Sequence, residues 1–249
     1  MIKVWTKGRL GNVLFQLATG YAYALDHDIP MTLNNSTKDA FWQPLYFQHL
    51  VNPFYDEAAP SKFINEMQHN YEPLPWDESW RWYNIQLRGF FQSEKYFLHR
   101  RAEVIKLFDL NYHDVDTVSI HVRRGDFTTI PGKHILNTDG YYMARALQYF
   151  KDLGYATFKV FSDDIEWCKG YFDNFTGVEF EYAEFGTPLE DVAAMARCRH
   201  HINSSSTFSW WGAWLTEHPE SIVITPKEWF QSTQKENTND IIPDKWIKM

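Results

Sequence analysis

The chain has 249 residues, of which 44% are hydrophobic and 22% charged, and it can bury the core of one large domain or of two ordinary ones. Its formal net charge of −8 argues against a dedicated nucleic-acid-binding protein, which usually carries a basic face. The two cysteines, Cys168 and Cys198, show no CxxC pattern and predict neither a disulfide framework nor a zinc site.

The chain starts directly with a strand-like apolar run, and no segment approaches the ~18 apolar residues that a membrane-spanning helix needs. We therefore expect a soluble cytoplasmic protein without an integral membrane segment, compatible with peripheral association at the inner membrane face. Aromatic residues make up 18% of the chain. They fill cores and also stack on sugar rings and bases, and we assign most of this excess to packing.

In the first half, apolar periodicity predicts strands and helices in alternation, interrupted by one irregular stretch rich in proline, asparagine and aromatics. A short apolar run opens the chain, and a helix with apolar residues at helical spacing follows a glycine-containing turn. The predicted strands cover residues 2–5, 31–33 and 84–91, the helices cover 12–27 and 94–108, and the irregular stretch covers 42–82.

In the second half the alternation is clearer. Thr187, Pro188 and Glu190 form a well-made helix start, with a threonine cap, a proline in the first turn and a glutamate that closes a capping box. Strands alternating with helices predict parallel sheets. We expect an α/β fold with two Rossmann-like domains, 1–113 and 114–249, facing a cleft. The predicted strands cover 117–122, 157–161, 200–203 and 221–225, and the helices cover 140–153, 188–198 and 208–217.

The run from His121 to Asp126 follows a predicted strand and contains two adjacent arginines, Arg123 and Arg124. In open α/β sheets, ligands bind beyond the carboxyl ends of the strands. Guanidinium groups there present planar, charged forks that match phosphate oxygens. The pattern therefore indicates a site for a phosphorylated ligand, and the alternative is an ion-pair cluster at the end of a strand.

Gly8, Arg9, Leu10, Gly11 and Asn12 connect the first strand to the first helix. Two glycines permit a tight turn and a close backbone approach, and the helix offers unpaired N–H groups and the positive end of its dipole. The segment is not GxGxxG, so it does not specify a dinucleotide. A plain tight turn and a binding loop both fit.

Phe161, Ser162, Asp163 and Asp164 end one strand and open a helix. Ser162 or Asp163 is expected to cap that helix, with Glu166 supporting it. The functional alternative is a carboxylate that accepts hydrogen bonds from a ribose or from the N–H groups of a base.

The stretch from Asn203 to Trp211 places four hydroxyl residues, 204–207, before an aromatic-rich helix. Hydroxyls and helix N–H groups could converge there on one phosphate. The alternative is a polar loop with a surplus cap. Trp210, Trp211 and Trp214 have helical spacing, and we expect at least two of them in the core.

Two Asp-x-Asp matches, Asp26–Asp28 and Asp114–Asp116, were considered as metal sites. Many nucleotide-sugar enzymes hold a divalent metal in this way. Neither match follows the carboxyl end of a predicted strand, so both are interpreted as turns. Arginines and a helix terminus can offset phosphate charge, and no metal is expected.

Taken together and in this order, the four segments resemble the bacterial α-1,2-fucosyltransferases of glycosyltransferase family 11. The resemblance spans positions 8 to 215, with Val13 where the family usually has glutamine and Ser205 where asparagine is common. The matching pieces are Gly8-Arg9-Leu10-Gly11-Asn12-x-Leu14-Phe15-Gln16, His121-Val122-Arg123-Arg124-Gly125-Asp126, Phe161-Ser162-Asp163-Asp164 and Ser206-Thr207-Phe208-Ser209-Trp210-Trp211-Gly212-Ala213-Trp214-Leu215.

The resemblance implies a two-domain GT-B-like fold, GDP-L-fucose as donor, no metal or other cofactor, and inversion at the anomeric carbon of fucose. It implies a galactose-containing oligosaccharide or lipid-linked glycan as acceptor, bound by the N-terminal domain, with the donor bound by the C-terminal domain. The implied catalytic residues are Arg123, Asp126, His121 and Asn12, and the implied donor contacts are Arg9, Gly11, Arg124, Ser162, Asp163, Asp164, Ser205, Ser206, Thr207 and Phe208.

Within that interpretation, Arg123 and the helix start at 206–208 stabilise the leaving diphosphate, and Arg124 orders the loop by pairing with Asp126 or another acid. The base stays open between Asp126, His121 and no base at all. Trp76, Trp80 and Trp82 are the expected stacking face for the acceptor. Two rival functions are another GDP-sugar transferase, such as a protein O-fucosyltransferase, and a non-catalytic carbohydrate-binding protein.

Overall fold

The structure is a computed structural model that describes residues 1–34, 47–67, 69–108, 115–129, 141–184, 186–230 and 237–249. The chain divides into two compact units, and the second begins at Leu110. The segment Asn237–Pro243 belongs to the first unit, whereas Asp244–Met249 belongs to the second. The predicted domains, 1–113 and 114–249, stay a prediction. Which unit binds the donor stays a prediction.

The first unit contains a parallel sheet of four strands in the order β2-β1-β4-β3. The helix α1 leaves β1 and packs so closely that a side chain on Gly20 would place its Cβ 2.1 Å from Val4. Asp28, in the left-handed conformation, ends this helix. The strands are β1 (Ile2–Trp5), β2 (Met31–Leu33), β3 (Ser61–Asn65) and β4 (Asn84–Arg88), and the helices are α1 (Leu10–His27) and α2 (Arg101–Phe108), with 3₁₀ turns at Gln48–Leu50, Glu78–Trp82, Glu94–Tyr96 and Leu98–Arg100.

The second unit contains a parallel sheet of six strands in the order β10-β9-β8-β5-β6-β7. Its central strands bury Val118, Ile120, Phe158 and Val160 against the flanking helices. The strands are β5 (Val115–Val122), β6 (Thr157–Ser162), β7 (Glu179–Tyr182), β8 (Cys198–Ile202), β9 (Val223–Thr225) and β10 (Ile247–Lys248). The helices are α3 (Gly125–Thr129), α4 (Tyr141–Asp152), α5 (Ile165–Phe172), α6 (Pro188–Ala196) and α7 (Thr207–Trp214).

The order of the strands identifies where a ligand can enter each sheet. From β5 the chain adds β6 and β7 on one side, then returns to place β8 on the other side of β5. In the first unit, β1 likewise lies between β2 and β4. Ligands in open parallel sheets bind at such reversal points, beyond the carboxyl ends of the two neighbouring strands.

The predicted alternation of strands and helices is confirmed, with local corrections. The stretch 42–82 contains β3, whose sequence shows a weak signal because only Ile64 of this edge strand is buried. Helix 94–108 is two 3₁₀ turns followed by α2, and β7 and β10 were not predicted. The helix after Thr207 ends at Trp214 rather than 217. Trp210, Trp211 and Trp214 are fully buried, as expected for core residues.

Candidate functional site

The carboxyl ends of β5 and β8 carry the densest group of predicted site residues. His121 is the last but one residue of β5, and its Nδ1 lies 2.7 Å from the hydroxyl of Ser204, which follows β8. The His121 ring also lies 5.6 Å from the ring of Phe208, centre to centre. Burial lowers the pKa of His121 to about 4, so this imidazole is neutral near pH 7. It joins the two strands at the reversal point.

Arg123 follows β5 directly and is held by a carboxylate from the next strand. Its Nη1 lies 2.7 Å from Oδ2 of Asp163, and 15% of its side chain is exposed. The other carboxylate oxygen of Asp163 accepts a hydrogen bond from the backbone N–H of Arg124 at 2.9 Å. Asp163 therefore fixes both the backbone of the arginine turn and the direction of the Arg123 guanidinium.

Arg124 points to different partners. Its Nε lies 3.0 Å from Oδ2 of Asp164, and its guanidinium carbon lies 3.7 Å from the centre of the Trp167 ring. The acid that pairs with Arg124 is therefore Asp164. For Asp126 the side chain lies outside the described part of the structure, and its predicted role as a base stays a prediction.

Gly125 is required by the approach of Asp163 to the arginine turn. A Cβ on Gly125 would lie 2.5 Å from Oδ2 of Asp163, which is closer than atoms in contact can come. Only glycine leaves that space open, because it is the one residue without a Cβ. The glycine in the run from His121 to Asp126 thus serves the ion pair of Arg123.

The cap of helix α5 differs from the prediction. Ser162 and Asp163 were the expected caps, but the N-cap is Asp164, whose carboxylate accepts from the N–H of Trp167 at 3.3 Å. Ser162 accepts a hydrogen bond from the N–H of Asp164 at 3.0 Å. Because Asp163 is turned towards the arginines, the chain starts the helix one residue later.

The hydroxyls before α7 are largely engaged within the protein. Ser205 donates to the carbonyl of Glu228 at 3.0 Å, and Ser206 caps the helix by accepting from the N–H of Phe208 at 3.3 Å. Ser204 is paired with His121. Thr207 and Phe208 are the partly exposed residues of this predicted set. The positive end of the α7 dipole, more than the serine hydroxyls, is thus what this segment offers to an anion.

The loop from Gly8 to Asn12 occupies the equivalent place in the first unit, after β1. Gly8 has a φ of +84°, and a Cβ there would lie 2.7 Å from the amide of Asn12. The carbonyl oxygen of the Asn12 side chain accepts from Gln92 at 2.9 Å. Arg9 is exposed at the N-cap position of α1, and Gly11 is buried. The predicted residues of this loop lie together at the carboxyl edge of the first sheet: Gly8, Arg9, Gly11 and Asn12.

Gln16 belongs to the first matching segment, and its hydrogen bonds give it a structural role. Its side-chain oxygen accepts from the N–H of Lys7 at 2.9 Å, and its amide nitrogen donates to the carbonyl of Gly89 at 3.0 Å. It therefore ties the loop after β1 to the loop after β4. The signal in the sequence was a glutamine placed within an otherwise apolar, buried stretch of helix.

The three tryptophans expected to bind the acceptor lie elsewhere in the first unit. Trp76 stacks on His27 at 3.8 Å between ring centres. The rings of Trp76 and Trp80 meet edge to face with their centres 6.5 Å apart. Trp82 is 85% exposed. They come just before β4 begins, at the amino edge of the sheet, whereas the loop from Gly8 to Asn12 lies at the carboxyl edge. Their role in acceptor binding stays a prediction.

The two Asp-x-Asp matches have other partners. Asp26 accepts from His99 and Arg100, each at 2.8 Å. Asp116 lies within β5 rather than in a turn, and its carboxylate accepts from Tyr155 at 3.1 Å. Asp114 lies outside the described residues. Across the residues that the structure describes, no group of three His, Cys, Asp or Glu side chains could hold a metal ion.

Comparisons with known proteins show the family of this chain. Residues 1–249 match the family described as glycosyl transferase family 11. Alpha-1,2-colitosyltransferase of Escherichia coli is 28% identical, covering 97% of this chain and 96% of that protein. Galactoside alpha-(1,2)-fucosyltransferase 2 of Hylobates lar is 28% identical, covering 84% of this chain and 67% of that protein.

Among solved structures, NodZ alpha-1,6-fucosyltransferase soaked with GDP-fucose matches with a TM-score of 0.52 and 15% identity, covering 90% of this chain and 94% of that chain. NodZ has also been solved from Bradyrhizobium. At this identity the likeness concerns the fold, and the predicted GT-B-like α/β fold class is confirmed. Among the helices of the described residues, none has the length and apolar character needed to cross a membrane.

Proposed function

This chain belongs to glycosyl transferase family 11, and we propose that it transfers L-fucose from GDP-L-fucose to the 2-hydroxyl of a galactose-type sugar in an oligosaccharide, with inversion at the anomeric carbon. The observation that carries the proposal is the group formed by Arg123, the start of α7 and His121 at the ends of β5 and β8. Relatives named as galactoside α-1,2-fucosyltransferases support the sugar and the linkage.

The chemistry requires stabilisation of a leaving diphosphate. As the bond to fucose breaks, the sugar gains oxocarbenium character while GDP gains negative charge. The planar guanidinium of Arg123 and the positive end of the α7 dipole can both receive that charge. Loss of one such preorganised donor costs about 3 kcal/mol of transition-state binding, or roughly a hundredfold in rate.

The surrounding acids prepare Arg123 for this role. Asp163 holds the guanidinium in place through the 2.7 Å ion pair, so little side-chain ordering is needed when the diphosphate arrives. Arg124 is assigned a positioning role, because it pairs with the carboxylate that caps α5 and lies on the face of Trp167 in the same helix. In this proposal Arg123 is the catalytic arginine of the pair.

The acceptor proton does not require a strong base in the second unit. His121 is neutral but buried and hydrogen-bonded to Ser204, which suits it to positioning the β5–β8 junction. If fucose departs early, the acceptor hydroxyl gains acidity as it bonds to the anomeric carbon and loses its proton late. The contributions of Asp126, Arg9, Gly11 and Asn12 stay predictions.

We expect transfer without a divalent metal, because arginine and helix N–H groups are proposed to balance the diphosphate. Activity should be unchanged in excess EDTA, measured as release of GDP in the presence of a galactoside. A loss of activity in the chelator that Mn²⁺ or Mg²⁺ restores would show that the charge is balanced by a metal instead.

A second candidate donor follows from the relatives. The protein named alpha-1,2-colitosyltransferase aligns with 97% of this chain at 28% identity. Transfer of colitose from its GDP derivative is therefore the leading alternative. The two donors share the GDP and differ in the sugar, so the Arg123 site serves either one. Protein O-fucosyltransfer and sugar binding without catalysis are the remaining alternatives.

Incubation with labelled GDP-fucose and a panel of galactosides, followed by linkage analysis of the product, tests the proposal. The expected product is an α-1,2-linked fucosyl galactoside, formed with GDP release and blocked by excess GDP but not by UDP. Transfer from GDP-colitose with none from GDP-fucose would change the donor. Transfer of fucose to a folded protein domain but not to galactosides would show that the acceptor is a protein. Binding of a galactoside without any release of GDP would show that the chain is a sugar-binding protein and not an enzyme.

A further inference from the structure

The first unit contains a cavity of about 190 Å³ at the carboxyl ends of β3 and β4. This is smaller than the roughly 300–1,000 Å³ of sites for drug-sized ligands, which limits an occupant to about one sugar ring. It opens on the same edge of the sheet as the loop from Gly8 to Asn12. The lining residues used below are Phe63, Glu66, Glu72, Leu74, Phe91 and Tyr96.

The charged side chains on the cavity wall, Glu66 and Glu72, are hydrogen-bond acceptors. Glu66 accepts the backbone N–H of Phe90 at 2.5 Å and that of Phe91 at 2.8 Å, which fixes its carboxylate while each oxygen keeps a second lone pair. Burial raises the pKa of Glu66.

The backbone beneath Glu66 is shaped to hold it. A Cβ on Gly89 would lie 2.4 Å from Cβ of Glu66, so the glutamate packs directly on this glycine. Phe91 has a φ of +53°, which is a rare conformation for a bulky residue. Such strain persists only where the surroundings enforce it, and it concentrates at ligand sites. The cavity is therefore preorganised rather than a packing defect.

We propose that this cavity binds one sugar ring of the acceptor glycan, an inference that rests on the proposed function. A wall of carboxylate acceptors calls for a ligand that donates, and the hydroxyls of a neutral sugar do so towards Glu66. The ring of Phe63, which is 49% exposed, offers apolar surface to the C–H face of a pyranose, and the buried rings of Phe91 and Tyr96 pack behind the wall.

The charge of the wall separates this ligand from the donor. Glu66 and Glu72 both line the cavity, and carboxylates repel the diphosphate of a nucleotide sugar. The described part of the first unit thus offers a place for a neutral ring that the anionic donor is excluded from. The cavity and the Trp76–Trp82 stretch are alternative acceptor sites, because they lie at opposite edges of the sheet. The cavity lies at the carboxyl edge and the stretch at the amino edge.

Filling the cavity tests the inference. Leu74→Trp places an indole into it, and Leu98→Trp, on a 45%-exposed leucine of the same unit, is the matched control. Binding of lactose to the full chain is measured by saturation-transfer NMR, together with lactose KM for transfer and GDP-fucose hydrolysis without acceptor. We expect Leu74→Trp to abolish the lactose signal and raise KM at least tenfold, with hydrolysis and Leu98→Trp unchanged.

Unaltered lactose binding in Leu74→Trp would overturn the cavity assignment. If that variant fails to fold, Phe63→Ala, at an exposed residue of the wall, takes its place, with a several-fold weaker lactose signal expected and an unchanged signal counting against the assignment. Binding of the diamine cadaverine in preference to lactose would show that the acidic wall binds a cation. That result would overturn the assignment of the cavity to a sugar ring. Failure of GDP-fucose hydrolysis and transfer in the wild type, with lactose still bound, would refute the proposed function and leave the cavity standing.

Discussion

At the scale of single residues, the arginine turn depends on contacts between atoms far apart in the chain. Asp163 reaches Arg123 and the backbone of Arg124 only because Gly125 has no side chain in its path. The two arginines are neighbours and chemically identical, yet different carboxylates give them different tasks. The ion pair with Asp163 holds Arg123 at the end of β5, and the ion pair with Asp164 holds Arg124 at the start of α5.

Gly125→Ala is expected to reduce transfer at least tenfold, because the new Cβ would meet Asp163 at 2.5 Å and force the Arg123 ion pair apart. The matched control is Gly170→Ala, whose Cβ meets nothing within 4 Å and lies in helix α5. That control should keep activity and gain up to about 1 kcal/mol of unfolding free energy from helix propensity. Both variants are compared by steady-state kinetics and urea unfolding. Equal activity in the two would show that Gly125 is not needed for the Arg123 ion pair to function.

The residue types at the site were predictable, and their pairing was not. A strand followed by two arginines indicated an anion site, because parallel strands end at one edge of a sheet. The choice between Asp126, Asp163 and Asp164 as partners depended on how α5 packs beside β5, which no local pattern encodes. Local chemistry misassigned the cap for the same reason: Ser162, Asp163 and Asp164 are all good caps, and a distant arginine decides between them.

At the scale of elements, the start of α5 couples the helix to the arginine turn. Asp164 caps the helix through Trp167 and pairs with Arg124, whose guanidinium lies on the Trp167 ring. The start of α6 makes a simpler cap, with Thr187 bonded to Glu190. That cap was predicted correctly, since its capping box is local and has no tertiary competitor. The two helix starts therefore form a natural comparison.

Asp164→Ala should weaken GDP binding several-fold, whereas Thr187→Ala should not change it, although both lose a cap worth about 1 kcal/mol. Removal of Asp164 also releases Arg124 from its ion pair and loosens the turn that carries Arg123. Calorimetric GDP affinity and unfolding free energy are measured for both. Equal GDP affinities at matched losses of stability would reduce Asp164 to an ordinary cap.

At the scale of the whole second unit, three histidines are held neutral in the sheet. Burial lowers the pKa of His121 and of His200 to about 4 and that of His201 to about 3. His201 lies between Ser119 and Thr216, and His200 bonds to Tyr155. Each binds protons more weakly in the folded protein than in the unfolded chain, where the pKa is 6.5. Their stabilising contribution is complete above pH 6.5 and is lost as pH falls towards 4.

The unfolding free energy should accordingly be lower at pH 5 than at pH 7 by at least ~1 kcal/mol. Asp191 acts in the opposite direction, because burial raises its pKa to about 6 and its contribution is lost as pH rises. In the full chain Glu66, whose pKa burial also raises, acts with Asp191, and His27, whose pKa burial lowers, acts with the three histidines. Four histidines against two carboxyl groups leave a net loss of stability on acidification. Urea unfolding of the full chain across this range measures the slope, and a flat or inverted profile would show that the imidazoles are protonated within the fold.

The whole-molecule organisation was the part best predicted from sequence, since alternating strands and helices define two parallel sheets. The acceptor side was predicted least well. The tryptophans of 76–82 stood out by composition, whereas the cavity at Glu66 is assembled from an unpredicted edge strand, a strained Phe91 and a proline-rich segment. Composition identifies aromatic residues, but only the fold shows which edge of the sheet they occupy.

The central claim, that Arg123 carries the charge of the leaving diphosphate, is tested most directly by the transfer kinetics of Arg123→Lys. Lysine can keep an ion pair with Asp163 but cannot reproduce the planar fork, so kcat with GDP-fucose and lactose should fall roughly a hundredfold in a folded protein. Arg145→Lys, on an exposed arginine of α4, is the matched control and should turn over normally. Near-normal kcat for Arg123→Lys would contradict the account.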